Sequence, residues 1–296
     1  MRSQADKLRA LRVIRSETPD SGALQPDRPR ARVRTIAVTS GKGGVGKSMF
    51  ATNLAILCAR AGKKVLLVDA DLSLANIDLL LGMIPKHNLG DVVSGSMAIE
   101  DVVVETPYGV RLLPASSGLE RLADLDDFSR EKLLRELSKF EESVDLIILD
   151  TATGIGRQTI HFAGAADEIA IVTTPEPTAF SDAYATLKVL AQRSRCGQPF
   201  LVVNRTGSAE EARRTAKWIQ TVSHRFLGFE PELLGHIPED ATVGTSVLRQ
   251  EPLVSLFPQS SAAQALLGLT DRILTEPGPY EPIGLEPEGV FRRMAS

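Results

Sequence analysis

From Thr35 onward the apolar residues gather into short, nearly unbroken runs separated by stretches with helical spacing. The runs are Thr35–Thr39, Lys64–Asp69, Val110–Pro114, Leu146–Asp150, Glu168–Thr173, Phe200–Asn204 and Leu233–Ile237. Most of them do not alternate, which is the pattern of strands in a parallel sheet covered on both faces. Helices are predicted over Lys47–Ala61, Arg130–Phe140, Ala179–Gln192 and Ala209–Phe226. Strand alternating with helix implies right-handed βαβ units. The expected fold class is therefore α/β: a doubly wound, mostly parallel sheet with helices on both faces.

The two ends read differently. In residues 1–15, Ala5, Leu8 and Leu11 recur at i, i+3, i+6 among Lys7, Arg9, Arg12 and Arg15, which predicts a short helix. Pro19, Gly22, Pro26 and Pro29 then mark a linker, and Pro277, Pro279, Pro282 and Pro287 mark a second one after Ile273. The expected organisation is a leader over 1–33, a domain over 34–275 and a tail over 276–296.

Charge sharpens that division. The net charge of −3 hides an asymmetry: nine Lys/Arg and four Asp/Glu in residues 1–34 leave 25 and 33 for the rest, a net of −8. A basic arm on an acidic body suits a tail that touches a partner, or a plain disordered leader, better than a body that coats nucleic acid broadly. Length and composition, 296 residues with 43% hydrophobic and 24% charged, are ordinary for a globular chain. The two cysteines, Cys58 and Cys196, make no CxxC, and Cys58 in its apolar helical run reads as a buried structural residue. A reducing cytoplasm is expected, since no secretory h-region and no membrane-spanning apolar run is present. None of His87, His161, His224 and His236 is paired at metal-ligand spacing, and no GxSxG occurs, so zinc- and serine-hydrolase readings lose their main support.

The chemistry concentrates after the first run. Gly41-Lys42-Gly43-Gly44-Val45-Gly46-Lys47-Ser48 satisfies GxxxxGK[ST] between an apolar strand and a predicted helix. Glycines let backbone N–H groups converge on an anion, and the helix N-terminus adds its positive end. Lys47 is expected to reach the β- and γ-phosphates of ATP, or the β-phosphate of ADP, and Ser48 to help hold Mg²⁺. Two strand ends supply carboxylates: Asp69 and Asp71 after Val65–Val68, and Asp150 after Leu146–Leu149. Ligands in open α/β sheets collect at such carboxyl ends, so all three should face the loop.

The second lysine, Lys42, makes the loop unusual. Lys42-Gly43-Gly44-Val45-Gly46-Lys47-Ser48, the DxD at Asp69–Asp71 and Leu149-Asp150-Thr151 resemble the deviant Walker A ATPases of the MinD/ParA group. The resemblance implies an ATP-dependent homodimer and slow, partner-stimulated hydrolysis. Lys42 would cross to the partner's phosphates, Asp71 would orient the attacking water, and Asp69, Asp150 and Ser48 would serve Mg²⁺. Asn204 and Arg205 resemble one adenine contact, and Pro238, Glu239 and Asp240 the other.

Within that group, four segments resemble the flagellar-number regulators of the FlhG (FleN/YlxH) family: Ala70–Asp78, Pro114–Gly118, Thr173–Ala179 and Ser181–Tyr184. Gln4-Ala5-Asp6-Lys7-Leu8-Arg9 resembles their activator helix, which implies an FlhF-type GTPase as partner through Gln4, Leu8 and Arg9. The resemblance also implies flagellar switch or transcriptional regulator proteins as partners. Ser3 departs from the activator motif, and Thr153 stands where relatives carry Ala before the glycine. The tail, with Phe291 and Met294 flanking Arg292 and Arg293, reads either as a weak peripheral anchor at the inner face of the membrane or as a frayed end. A MinD-type division-site regulator and a ParA-type DNA- or cargo-positioning ATPase are the alternatives. The acidic body counts against the second. A metabolic kinase lacks an identifiable acceptor site.

Overall fold

The computed structural model describes residues 33–71, 75–115, 136–137, 139–192 and 197–275. The chain divides into two units, Met1–Ala31 and Arg32–Ser296. The first lies outside the described residues, and with it the predicted helix carrying Gln4, Leu8 and Arg9. The tail with Phe291 and Met294, Cys196, and most of the helix predicted over Arg130–Phe140 lie outside them as well.

The described chain alternates strand and helix. β1 (Arg34–Ser40) leads into α1 (Lys47–Arg60), and β2 (Val65–Ala70) is followed by the short helices α2 (Ile77–Leu80), α3 (Leu89–Ser94) and α4 (Ile99–Val102). Then come β3 (Val104–Glu105), β4 (Arg111–Leu113), β5 (Leu146–Thr153), α5 (Arg157–Ala165), β6 (Glu168–Thr173), α6 (Pro177–Ala191), β7 (Gln198–Thr206), α7 (Ala209–Leu227), β8 (Glu232–Pro238), α8 (Ala241–Arg249), α9 (Leu253–Leu256) and α10 (Ser261–Thr275).

These strands form one eight-stranded sheet in the order β3-β4-β2-β5-β1-β6-β7-β8. Every pairing is parallel except the edge pair β3–β4. The doubly wound sheet expected from the apolar runs is thus present. β3, α2 to α5 and α8 to α10 are present without having been expected from the sequence. The four-residue helices are too short for a periodic signal, and β3 is a two-residue edge strand. Lys139 and Phe140, predicted helical, form a turn.

Alternate residues of the central strands feed opposite cores, as a period of two requires. Ala37, Ile147, Leu149, Ile169 and Ile171 pack with residues of α5, α6 and α7 such as Ala163, Leu187 and Ile219. Ile36, Val38, Ile148, Ala170 and Val172 pack with Phe50 and Leu54 of α1 and Leu266 and Ile273 of α10. Cys58 lies in that second core, where burial pushes its thiol up to about 12. It is the inert structural cysteine expected.

Local chemistry sets the helix limits. α7 starts at Ser208, whose hydroxyl accepts from the Glu211 N–H at 3.2 Å, and stops at Gly228 in the left-handed region. α6 begins with Pro177 at its first turn, where a missing N–H costs nothing. β1 runs between β5 and β6, the point where successive connections leave in opposite directions. The loop after β1 therefore opens into the crevice at the carboxyl ends of the strands.

Candidate functional site

The loop between β1 and α1 is built to face an anion. The Ser40 hydroxyl donates to the Lys42 carbonyl at 3.0 Å, which tightens the exit from the strand. Gly46 takes φ 93°, and a Cβ there would meet Asn204 Nδ2 at 2.2 Å. Asn204 in turn donates to the Val45 carbonyl at 2.7 Å, so the end of β7 braces the loop. The N-terminus of α1 has no side-chain cap and no acidic residue in its first turn. Its backbone N–H groups are left to an external acceptor.

Gly41 is constrained differently. A Cβ on it would lie 2.3 Å from the Asp182 carbonyl oxygen of α6. Gly41→Ala is therefore expected to push the loop off α6, costing about 1–3 kcal/mol as overpacking does. A thermal melt should fall by several degrees, and ATP affinity should weaken with it. An unchanged melt and unchanged affinity would show that the loop is not held there.

Behind the loop lies a buried charge cluster. Lys47 Nζ is 2.7 Å from Asp150 Oδ1 and 3.3 Å from Ser48 Oγ, with Lys47 only 6% exposed. Burial raises the Asp150 carboxyl, and the Lys47 ammonium opposes that. Asp69 stands beside Asp150 in the β2–β5 register. Burial, then the Asp150 carboxylate, pushes its carboxyl up to about 8. The Asp69 carboxylate also accepts from the N–H groups of Asp71 (3.1 Å), Asn76 (3.2 Å) and Ile77 (3.4 Å), and so ties the DxD turn to the start of α2. Asp71 is buried at the same strand end.

Lys42 points elsewhere. Its ammonium bonds Glu176 Oε2 at 2.6 Å and Thr178 Oγ1 at 3.0 Å, at the N-terminal edge of α6. The two lysines of the motif thus occupy distinct settings, Lys47 buried inside and Lys42 on the rim.

The other two segments meet beside the loop. The Glu239 N–H donates to the Thr206 carbonyl at 3.0 Å, joining the ends of β7 and β8. Arg205 takes φ 55°, an uncommon conformation for a residue with a side chain. The Asp240 carboxylate accepts from the Thr242 N–H and hydroxyl, the Ser261 hydroxyl and the Ala262 N–H, at 2.9, 2.6, 2.8 and 3.1 Å. It caps α8 and tethers α10, so its side chain serves structure. Those donors hold its carboxyl well below the usual range. Asp240→Ala should lower stability by about 1–2 kcal/mol, the scale of a lost cap. Because the folded pKa is depressed, the difference between wild type and variant should be full near neutrality and shrink as acid protonates Asp240. Equal melts at pH 7 would refute the tether.

Residues 36–253 match the CobQ/CobB/MinD/ParA nucleotide binding domain. The antiactivator FleN of Pseudomonas aeruginosa is 37% identical over 252 residues, covering 85% of this chain and 90% of that protein. The flagellum site-determining protein YlxH of Helicobacter pylori is 31% identical over 238 residues, covering 80% of each. The septum site-determining protein MinD from Pyrococcus horikoshii, solved with Mg-ADP, superposes with a TM-score of 0.68 at 28% identity, covering 81% of this chain and 96% of that one.

The chain belongs to the MinD/ParA nucleotide-binding family.

As a MinD/ParA protein of the FlhG type it is an ATPase, and the Pyrococcus horikoshii MinD it resembles holds a nucleotide with Mg²⁺. The residues present fit that pair. The uncapped N-terminus of α1 and the buried Lys47 ammonium suit phosphates, and Ser48 and Asp150 offer oxygens to a cation. Among the described residues no three carboxylates, imidazoles or thiols converge as a preformed metal site. Mg²⁺ is commonly held by one or two protein groups plus phosphate and water, so a sparse donor set is what a nucleotide-borne cation needs. Bound Mg²⁺ supplies charge neutralisation along the phosphates. Among the described residues no helix is long and apolar enough to cross a membrane.

Nothing in the spacing of the chain pairs Lys42 with Glu176 or Thr178, which lie in the segment Thr173–Ala179. The available signal was an acidic residue immediately before a Pro at a helix start, which places a carboxylate at the mouth of the site.

Proposed function

We propose that this ATPase is an ATP-dependent dimerisation switch that regulates flagellar number or placement, with an FlhF-type GTPase as its partner. The observation that carries the switch is the separation of the two lysines. Lys47 is committed inside its own protomer, whereas Lys42 sits on the rim with 37% of its side chain exposed, where a second copy can reach it. In this reading Lys42 crosses to the partner's phosphates. Asp71 orients the attacking water, and Ser48, Asp69 and Asp150 serve the Mg²⁺ shell. Gly41, Gly43, Gly44, Val45, Gly46 and Lys47 cradle the phosphates. Asn204, Arg205, Pro238 and Glu239 flank the adenine, with Asp240 contributing through its backbone.

The flagellar assignment is supported by the likeness to FleN and YlxH, which cover most of this chain. Residues 1–33 act as the activator segment, residues 34–275 as the ATPase domain, and residues 276–296 as a weak membrane-targeting tail. Purified protein should then stimulate an FlhF-type GTPase, and Gln4→Ala should remove most of that stimulation without changing ATP binding. No stimulation by wild type would refute this partner. The second reading, a MinD-type division-site regulator, is supported by the likeness to MinD.

A further inference from the structure

The exposed apolar side chains of the domain are not scattered. Among the described residues, four of the eight large ones fall in two short segments: Leu79 and Ile84 in and just after α2, and Val247 and Leu248 at the end of α8. The two segments touch. Gly82 turns at φ 63°, and a Cβ on it would lie 2.8 Å from the Gln250 carbonyl oxygen, while Gln250 itself takes φ 55° to end α8. Ile84 is 96% exposed and Leu248 87%, so both project from these turns almost free of their own chain.

Charge marks the same place. Lys86, two residues after Ile84, and Arg249, next to Leu248, are exposed, and neither forms an ion pair among the described residues. The acidic residues of these segments are engaged elsewhere. Asp78 accepts from the Leu79 N–H at 2.8 Å, and the charge of Glu251 falls on the Tyr108 hydroxyl, where Arg60 opposes it. On an acidic body, two unpaired bases beside projecting aliphatics are a local inversion.

We propose that this pair of turns is a membrane-contact site in the folded domain. Ile84 and Leu248, with Leu79 and Val247 beside them, insert at the headgroup level of an anionic bilayer, and Lys86 and Arg249 meet the lipid phosphates. Projecting tips ringed by free bases suit a lipid surface, which asks for apolar area and positive charge but no complementary groove. The location agrees. Ile77 and Leu81 under the first turn, and Leu253 and Val254 under the second, share one core with Leu266 and Ile273 of α10. The chain leaves α10 at Thr275, so the tail over 276–296 departs on the same side of the sheet as the two turns. A single weak anchor binds a membrane only marginally, and stable attachment takes a second signal. A domain patch and a tail on one side of the sheet can engage the same bilayer together. The site goes beyond the tail in the reading above and does not depend on it.

Full-length protein with Mg-ATP should float with vesicles of mixed phosphatidylglycerol and phosphatidylcholine, and much less with phosphatidylcholine alone. Each base near an anionic surface contributes roughly 5-fold, so Lys86→Gln with Arg249→Gln should weaken flotation by roughly 10- to 30-fold. Ile84→Ser with Leu248→Ser should weaken it by roughly 10-fold or more. All four side chains are exposed, so the melts and ATP affinities of these variants should match wild type. To locate the contact, Ile84→Trp in a Trp218→Phe background carries the only indole, because the chain has one Trp. Its emission should shift to the blue on the anionic vesicles and be quenched by brominated lipid.

If wild type floats, both double variants float equally well and only Phe291→Ser releases the protein, the tail is the anchor and the patch is overturned. If wild type floats with neither vesicle, patch and tail fall together. Equal flotation on both vesicle types overturns the anionic-lipid assignment. An indole at position 84 whose emission is unchanged in the vesicle-bound protein also overturns the patch as a lipid contact, and would turn the search to a protein partner for it.

Discussion

With Mg²⁺ and ATP, Asp71→Ala is expected to accumulate at twice the protomer mass in light scattering while its phosphate release falls about 100-fold or more. A side chain that positions or deprotonates an attacking water contributes typically about 10²- to 10⁴-fold. In the proposed switch Asp71 takes that task. It is buried at the carboxyl end of β2, and its N–H is anchored on the Asp69 carboxylate at 3.1 Å. Removing its carboxylate leaves Lys47 and Asp150 in place, so nucleotide can still be held but not turned over. Lys42→Ala is expected to stay monomeric under the same conditions, because the group offered to the second copy is gone. One mass for wild type and both variants, with and without ATP, would end the dimer-switch reading.

Lys47→Met should have the largest effect on the site itself. Truncating one partner of a buried, hydrogen-bonded charge pair typically costs about 2–5 kcal/mol, which corresponds to a loss of ATP affinity of roughly 30-fold or more. The nucleotide-free fold should suffer too. Asp150 is 1% exposed and would be left without its counter-charge, a change that commonly costs about 3–5 kcal/mol. Part of that cost is avoidable, because burial already raises the Asp150 carboxyl, and Lys47, with a smaller share from the Ser48 hydroxyl, pulls it back. Without Lys47 the folded-state pKa rises further above the unfolded value. The variant should therefore recover stability relative to wild type as pH falls from neutrality toward the ordinary carboxylate range near about 4. Calorimetry at pH 5 and pH 8 reads this directly. A deficit that does not shrink in acid would show that Asp150 is solvated or otherwise paired.

The sheet was legible because its strands are apolar on both faces. Runs such as Leu146–Leu149 and Ile169–Val172 leave few other structures open to them. The phosphate loop was legible because its residues are contiguous, so spacing alone brings the backbone N–H groups to one place. The carboxylates at Asp69 and Asp150 followed, since both end such runs and parallel strands bring their ends together. The short helices were not legible. Three of them span only four residues each, α2, α4 and α9, and they owe their form to packing against the sheet rather than to a repeating face.

By itself the sequence determined the α/β class, the loop and the acidic strand ends, because each depends on neighbours a few residues away or on hydrophobicity that repeats with the fold. Only the tertiary structure decided which carboxylate meets which lysine. Lys47 meets Asp150 across 103 positions, and Lys42 meets Glu176 across 134. Likewise Asp240, which the motif placed at the base, turned out to spend its side chain on Thr242, Ser261 and Ala262. The physical reason is range: hydrophobic periodicity is written locally along the chain, while an ion pair or a shared hydrogen bond depends on where distant strand ends and helix starts converge.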